Sequence, residues 1–293
     1  MSELWLEDYT PQVISSFDNY EQEYHDYLIQ EKIPQEALPA ISAKALFARP
    51  KLPITSYVDN FIYAGSLNLL AGEPKAGKST LAWHLIQAVS HGDNFLGQVV
   101  RNTNVLYVTE QNEVSLRQEA EMVPGLKENP NIYFLMPETM EGASWESRVS
   151  FWGKKLSDTD SGLLVVDTFG AWANLPPGGE NDSACIAERL MILKMLFKGR
   201  PNLGILLVHH IRKPSADPRF PVKEFADLRD ARGSSAIAGC VDHCVMLSKA
   251  INQQYVRNIH TEGRFEPETK FSIVLTETGY KHQHEVRNPF RRV

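Results

Sequence analysis

The chain has 293 residues, 43% of them hydrophobic and 23% charged, with a formal net charge of −6. That is room for one α/β core plus an arm, and the acidic balance argues against a strongly basic coat for duplex DNA while leaving a local basic channel open. Cys185, Cys240 and Cys244 cannot form a disulfide framework, the start is acidic where a secretory leader is basic, and no apolar run approaches ~18 residues, so the expectation is a cytoplasmic chain with no membrane span.

Residues 1–36 carry nine acids (Glu3, Glu7, Asp8, Asp18, Glu21, Glu23, Asp26, Glu31 and Glu36) against Lys32 alone. Trp5, Tyr9, Phe17, Tyr20, Tyr24 and Tyr27 are interspersed among them. Acids and aromatics without a long apolar period describe an arm rather than a domain, one that could dock on a protein partner or a neighbouring subunit. Pro34, Pro39, Pro50 and Pro53 then punctuate a linker. The expected division is residues 1–45 as arm and linker and 46–293 as the folded domain.

From about residue 65, short apolar runs alternate with helical segments. Strands are expected at 66–71, 105–109, 132–135, 163–167 and 204–208. Helices are expected at 79–90, 114–122, 145–156 and 184–197. This alternation predicts an α/β fold with a mostly parallel sheet covered by helices on both faces. The C-terminal part turns β-rich at 244–248, 255–261 and 271–276, the last two forming a hairpin around Gly263-Arg264-Phe265-Glu266-Pro267. Cys240 and Cys244 read as small buried hydrophobes.

Gly72-Glu73-Pro74-Lys75-Ala76-Gly77-Lys78-Ser79 fits G-x-x-x-x-G-K-[ST] at every fixed position, between an expected strand and an expected helix. Together with Thr80 it is a phosphate-binding loop. Backbone N–H groups wrap the phosphates, glycine permits the close approach, and the helix start favours an anion. Lys78 would neutralise the outer phosphates and Ser79 would ligate Mg²⁺. The absence of an Asn-Lys-x-Asp motif favours ATP over GTP.

Two apolar runs end in acids. Leu163-Leu164-Val165-Val166-Asp167 would place Asp167 at a carboxyl strand end, where open α/β sheets bind ligands, as a second metal residue. Val105-Leu106-Tyr107-Val108-Thr109-Glu110 would place Glu110 where it can deprotonate an attacking water. Glu113 and Glu119, on the following helix, read as solvated. The buried run 204–208 leads into His209-His210-Ile211-Arg212-Lys213. Neighbours in an extended segment alternate faces, so only one histidine can face the nucleotide, and His210 is the expected one, as a sensor. No spaced partners support a zinc site.

Residues 212–232 form a proline-interrupted polar loop, too long to be an ordinary connection. Arg212, Lys213, Arg229 and Arg232 could meet a nucleic-acid backbone, while Asp217, Glu224, Asp227 and Asp230 also allow a plain surface excursion. Arg264 sits in the hairpin turn with no obvious partner in its own chain, and could serve a neighbouring subunit's ATP.

The constellation resembles the RecA-like ATPases, and more closely the RepA-type plasmid replicative helicases, over about residues 47–281. The resemblance rests on residues 72–80, on Tyr107-Val108-Thr109-Glu110, on Leu164-Val165-Val166-Asp167, on Val208-His209-His210-Ile211-Arg212-Lys213 and on Arg232-Gly233-Ser234-Ser235-Ala236. Gly263-Arg264-Phe265-Glu266-Pro267 resembles the finger turn of DnaB-like and RadA-like proteins. The resemblance implies a RecA-like P-loop NTPase core, a homo-oligomeric ring that is usually a hexamer, ATP with Mg²⁺ between subunits, and single-stranded DNA through the centre. Two features depart from it: Glu262 stands where DnaB-like members usually have Lys, and the arm has no counterpart. A KaiC-like regulatory ATPase or a recombination mediator is the alternative.

Overall fold

The computed structural model describes residues 41–48, 55–211, 223–231, 234–251, 253–277 and 279–285. Most of the expected arm and linker, and Arg212, Lys213 and Arg232 of the long loop, lie outside these residues. The described chain opens with a short helix α1 (Ala43–Phe47) and a two-stranded ribbon, β1 (Ser56–Val58) and β2 (Ile62–Tyr63).

The body is a nine-stranded sheet in the order β11-β10-β9-β8-β3-β7-β6-β4-β5. Its parallel part comprises β3 (Ser66–Gly72), β4 (Asn104–Thr109), β5 (Ile132–Leu135), β6 (Ser161–Asp167), β7 (Gly204–His210) and β8 (His243–Lys249). An antiparallel extension, β9 (Val256–Gly263), β10 (Thr269–Thr276) and β11 (Gly279–His282), continues from β8. The expected hairpin is therefore β9–β10. The extra strand β11 and the ribbon are too short to carry a readable period.

Period-two alternation divides the core in two. Leu70, Val105, Tyr107, Leu163, Val165, Leu206 and Val208 point to one face. There they pack under Leu81, Leu85, Ile86 and Val89 of α2 (Lys78–His91), beside α3 (Glu113–Ala120). Leu69, Leu106, Leu164, Val166, Ile205 and Leu207 point to the other face, beneath α4 (Trp145–Asp158) and α6 (Ser183–Lys194). Two short helices, α5 (Phe169–Trp172) and α7 (Ser234–Cys240), complete that layer. Among the cysteines, Cys244 is buried as expected, while Cys240 is only half-buried.

β3 and β8 approach closely at Gly72, where a Cβ would run into the Leu247 carbonyl oxygen. Glycine is thus needed to let the central strand reach the phosphate loop without prising the sheet apart. Gly72→Ala is expected to cost about 1–3 kcal/mol through overpacking, read as a lower midpoint in denaturant unfolding.

Candidate nucleotide site

The loop leaving β3 turns through left-handed backbone at Lys75 (φ 60°) and Gly77 (φ 95°) and enters α2 directly. Gly77 caps that helix without a side-chain bond, so the first-turn N–H groups keep no protein partner there and suit an anion. The Lys78 amine, buried to 5% exposure, folds back over the loop. It donates to the Glu73 carbonyl at 3.0 Å and lies 3.1 Å from Nδ1 of His210. A cleft of about 230 Å³ opens here, bounded by Lys75, Lys78, Ser79, Glu110, Asp167 and His210 among others.

Asp167, at the end of β6, is also 5% exposed. It falls on the same sheet face as Tyr107 because the two paired strands alternate in step. The Tyr107 hydroxyl donates to Asp167 Oδ2 at 2.6 Å, and the Ser79 side chain also bonds this carboxylate. The Tyr107 ring is held between Trp83 of α2 and Phe134 of β5, at centroid distances of 5.3 and 5.8 Å. The peptide joining Asp167 to Thr168 is cis.

Burial dominates the electrostatics. It lowers the Lys78 pKa, against the pull of Asp167, Glu110 and Glu73. It raises the Asp167 pKa, against hydrogen bonds from Tyr107 and Ser79 and the charge of Lys78, with Glu110 adding to the rise. A bound cation beside Asp167 and bound phosphate beside Lys78 would each supply the countercharge that burial removes. The buried carboxylate, its Ser79 neighbour and the uncapped helix start therefore fit a magnesium nucleotide.

Glu110 is exposed at the cleft edge. Its backbone N–H donates to the Asp167 carbonyl at 2.9 Å, and the Thr168 hydroxyl donates to its Oε2 at 3.1 Å. The histidines divide by face: His209 packs against Phe169, with centroids 5.8 Å apart, and His210 meets Lys78. The strand extends through both, past the apolar run that marked it in the sequence.

Two expectations change. Glu119 lines the cleft instead of standing in solvent, because it lies three residues beyond buried Leu116 and so shares the helix face turned to the body; Glu113 remains exposed and pairs with Arg117. Arg264 does have a partner in its own chain, since Nη1 lies 3.1 Å from Oδ1 of Asp242. The other Asp242 oxygen accepts from the Leu67 backbone N–H at 3.0 Å, which places this pair at the amino end of β3. In the described part of the long loop, for which both readings were open, the bases pair with acids of the same stretch. Lys223 pairs with Asp227 and Asp230, and Arg229, 86% exposed, pairs with Asp227. Ser248, Asn258 and His260 tie this stretch to the sheet through the carbonyls of Glu224 and Ala226.

Pattern reading missed Arg257. It stands at the start of β9, with Nε 2.6 Å from the Ala76 carbonyl of the phosphate loop and Nη1 bonding the Gln254 and Val256 carbonyls. The Tyr107 and Thr168 hydroxyls, which hold Asp167 and Glu110, were not singled out by the pattern either.

The family described as the AAA domain matches residues 32–216. The chain belongs to that family. A solved structure titled "Crystal structure of the RadB recombinase" matches this AAA-domain protein with a TM-score of 0.53 at 17% identity, over 75% of this chain and 91% of that chain. No curated protein matches the sequence. The sheet order, the loop and the shared fold identify a RecA-like P-loop ATPase domain. Among the described residues, no helix is long and apolar enough to cross a membrane.

The raised Asp167 pKa sets a pH dependence with a definite sign. A carboxyl whose folded-state pKa lies above its unfolded value loses stabilisation as pH rises through that folded-state pKa. Without nucleotide, Asp167→Asn is therefore expected to unfold at or above the wild-type temperature at neutral pH, an advantage that fades as pH falls. The stabilisation conferred by magnesium and ATP together should vanish in the same variant. Thermal melts across pH, with and without both ligands, read both effects.

Proposed function

We propose that this protein is an ATP-hydrolysing ring motor acting on single-stranded DNA, a replicative helicase-like ATPase of a plasmid, phage or mobile element, working in the cytoplasm as a homo-oligomeric, hexameric ring. The observation that carries the intersubunit reading is the division of the machinery between two ends of the sheet. No arginine lines the phosphate cleft among the described residues. Arg264 lies at the far end of β9, whose eight residues span about 25 Å. It cannot reach its own cleft, but it can reach that of a neighbour placed head to tail.

In this reading residues 72–80 cradle the triphosphate, with Lys78 neutralising its outer oxygens. Mg²⁺, held by Ser79 and Asp167, would supply charge stabilisation on the phosphate oxygens. Glu110, oriented by Thr168, takes the proton as water attacks the γ-phosphorus and the bond to ADP breaks. His210, in contact with Lys78, reports the phosphate state through β7 to the loop at 212–232. There Arg212, Lys213, Arg229 and Arg232 would meet the DNA backbone. Residues 1–45 serve as a separate arm and 46–293 as the motor.

Two observations favour the runner-up, a regulatory ATPase switching protein partners without unwinding. Arg229 and Lys223 are already paired within their loop, and Glu262 precedes Arg264 where a lysine would strengthen coupling. Turnover stimulated by single-stranded DNA, together with strand displacement, supports the motor; stimulation by neither DNA nor a partial duplex supports the switch.

Glu110→Gln is expected to lower kcat by about 10²–10⁴-fold while ATP binding persists; unchanged DNA-stimulated hydrolysis would remove Glu110 from the mechanism. Arg257→Ala should slacken the loop at Ala76, raising KM for ATP roughly ten-fold with kcat nearly preserved. Arg257→Lys should recover part of that loss. Steady-state kinetics separate the two parameters.

A further inference from the structure

The sheet end opposite the phosphate loop carries a second, larger cleft of about 720 Å³, at the starts of β6 and β7. Arg101, Lys198 and Arg200 line it, with Asp160 as the acid among the lining residues, and Tyr57 and Asn202 form part of its wall. Arg200 is fixed by Nη2 bonds to the Gly153 carbonyl and the Ser157 hydroxyl, both 2.9 Å. Among the described residues, neither Arg200 nor the exposed Arg101 pairs with a carboxylate. The cleft is thus a positive site built on an acidic protein.

The charge of the whole chain explains what could fill it. Of its 36 acids and 30 bases, residues 1–36 hold nine and one, leaving 27 acids against 29 bases in the remainder. The N-terminal segment therefore carries the entire negative excess. The chain also enters the described body beside this cleft: Tyr57 of β1 gives its hydroxyl to the Asn202 carbonyl at 2.6 Å, and its carbonyl accepts from the Arg101 backbone N–H at 2.9 Å.

We propose that the acidic segment 18–31, with Asp18, Glu21, Glu23, Asp26 and Glu31, docks in the Arg101–Lys198–Arg200 cleft of its own chain. Of the 23 residues between Glu31 and Thr55, five form α1; the other 18 could span up to about 60 Å, so reach does not limit the contact. Tethering sets an effective concentration on the order of millimolar, which favours this segment over a free anion. The cleft lies away from the strand ends that carry the nucleotide and the long loop, so occupation by the arm leaves the ATP site open.

The test uses the full-length chain and a zero-length carbodiimide, which joins carboxylates to lysine amines, followed by peptide mass spectrometry. Lys198 should be joined to acids of residues 18–31. The yield should fall roughly five-fold at about 0.5 M salt, as screening removes the attraction, and comparably in Arg101→Glu, an exposed change that leaves the fold intact. A mixture of isotopically labelled and unlabelled chains should give pairs of one isotope only. Mixed-isotope pairs would overturn the proposal by giving the cleft to a neighbouring copy. Reaction of these acids with Lys75 or Lys249 while Lys198 stays unmodified would also overturn it. So would loss of single-stranded oligonucleotide binding in Arg101→Glu with the cross-links unchanged, because the cleft would then belong to nucleic acid.

Discussion

A buried ammonium and a buried carboxylate face each other across the carboxyl ends of β3 and β6, and the rest of the site is arranged to tolerate them. Lys78 and Asp167 are each 5% exposed, and burial moves their pKa values in opposite directions, each toward the neutral form. The protein offsets this with the Glu73 carbonyl, His210, Tyr107 and Ser79. These partners hold the groups in place without fully replacing water. A magnesium nucleotide supplies the opposite charge to each, so binding relieves a tension built into the fold.

The same sheet gives the site its reach. β9 begins with Arg257 on the phosphate loop and ends beside Arg264, at the far edge. In the ring proposed above, a neighbour that engaged Arg264 would act on the same strand that holds Ala76 through Arg257.

The sequence made the core legible because the α/β pattern is strongly periodic. The runs at 163–167 and 105–109 showed both the strands and the acids at their ends, and the phosphate loop declared itself by glycine spacing. Alternation along β7 turns His209 toward Phe169 and His210 toward Lys78. What escaped detection were contacts between residues distant in the chain. Arg257 reaches Ala76 across 181 positions, and Asp242 meets Arg264 only once β8 and β9 pair. Glu119 was misread because amphipathic periodicity describes solvent and core, whereas a ligand cleft is neither. Net charge concealed two local facts, the pairing of Arg229 within its loop and the positive cleft at the opposite sheet end.

The central claim, that one chain supplies the base and its neighbour the arginine, is tested most directly by mixing two defective variants. Glu110→Gln keeps a sound Arg264, and Arg264→Ala keeps a sound Glu110. Each should be nearly inactive alone, and mixed rings contain interfaces where both residues are intact. The account predicts that ATP hydrolysis reappears on mixing and rises with the fraction of such interfaces. Full activity in Arg264→Ala alone, or no recovery in rings shown by native mass measurement to be mixed, would contradict it.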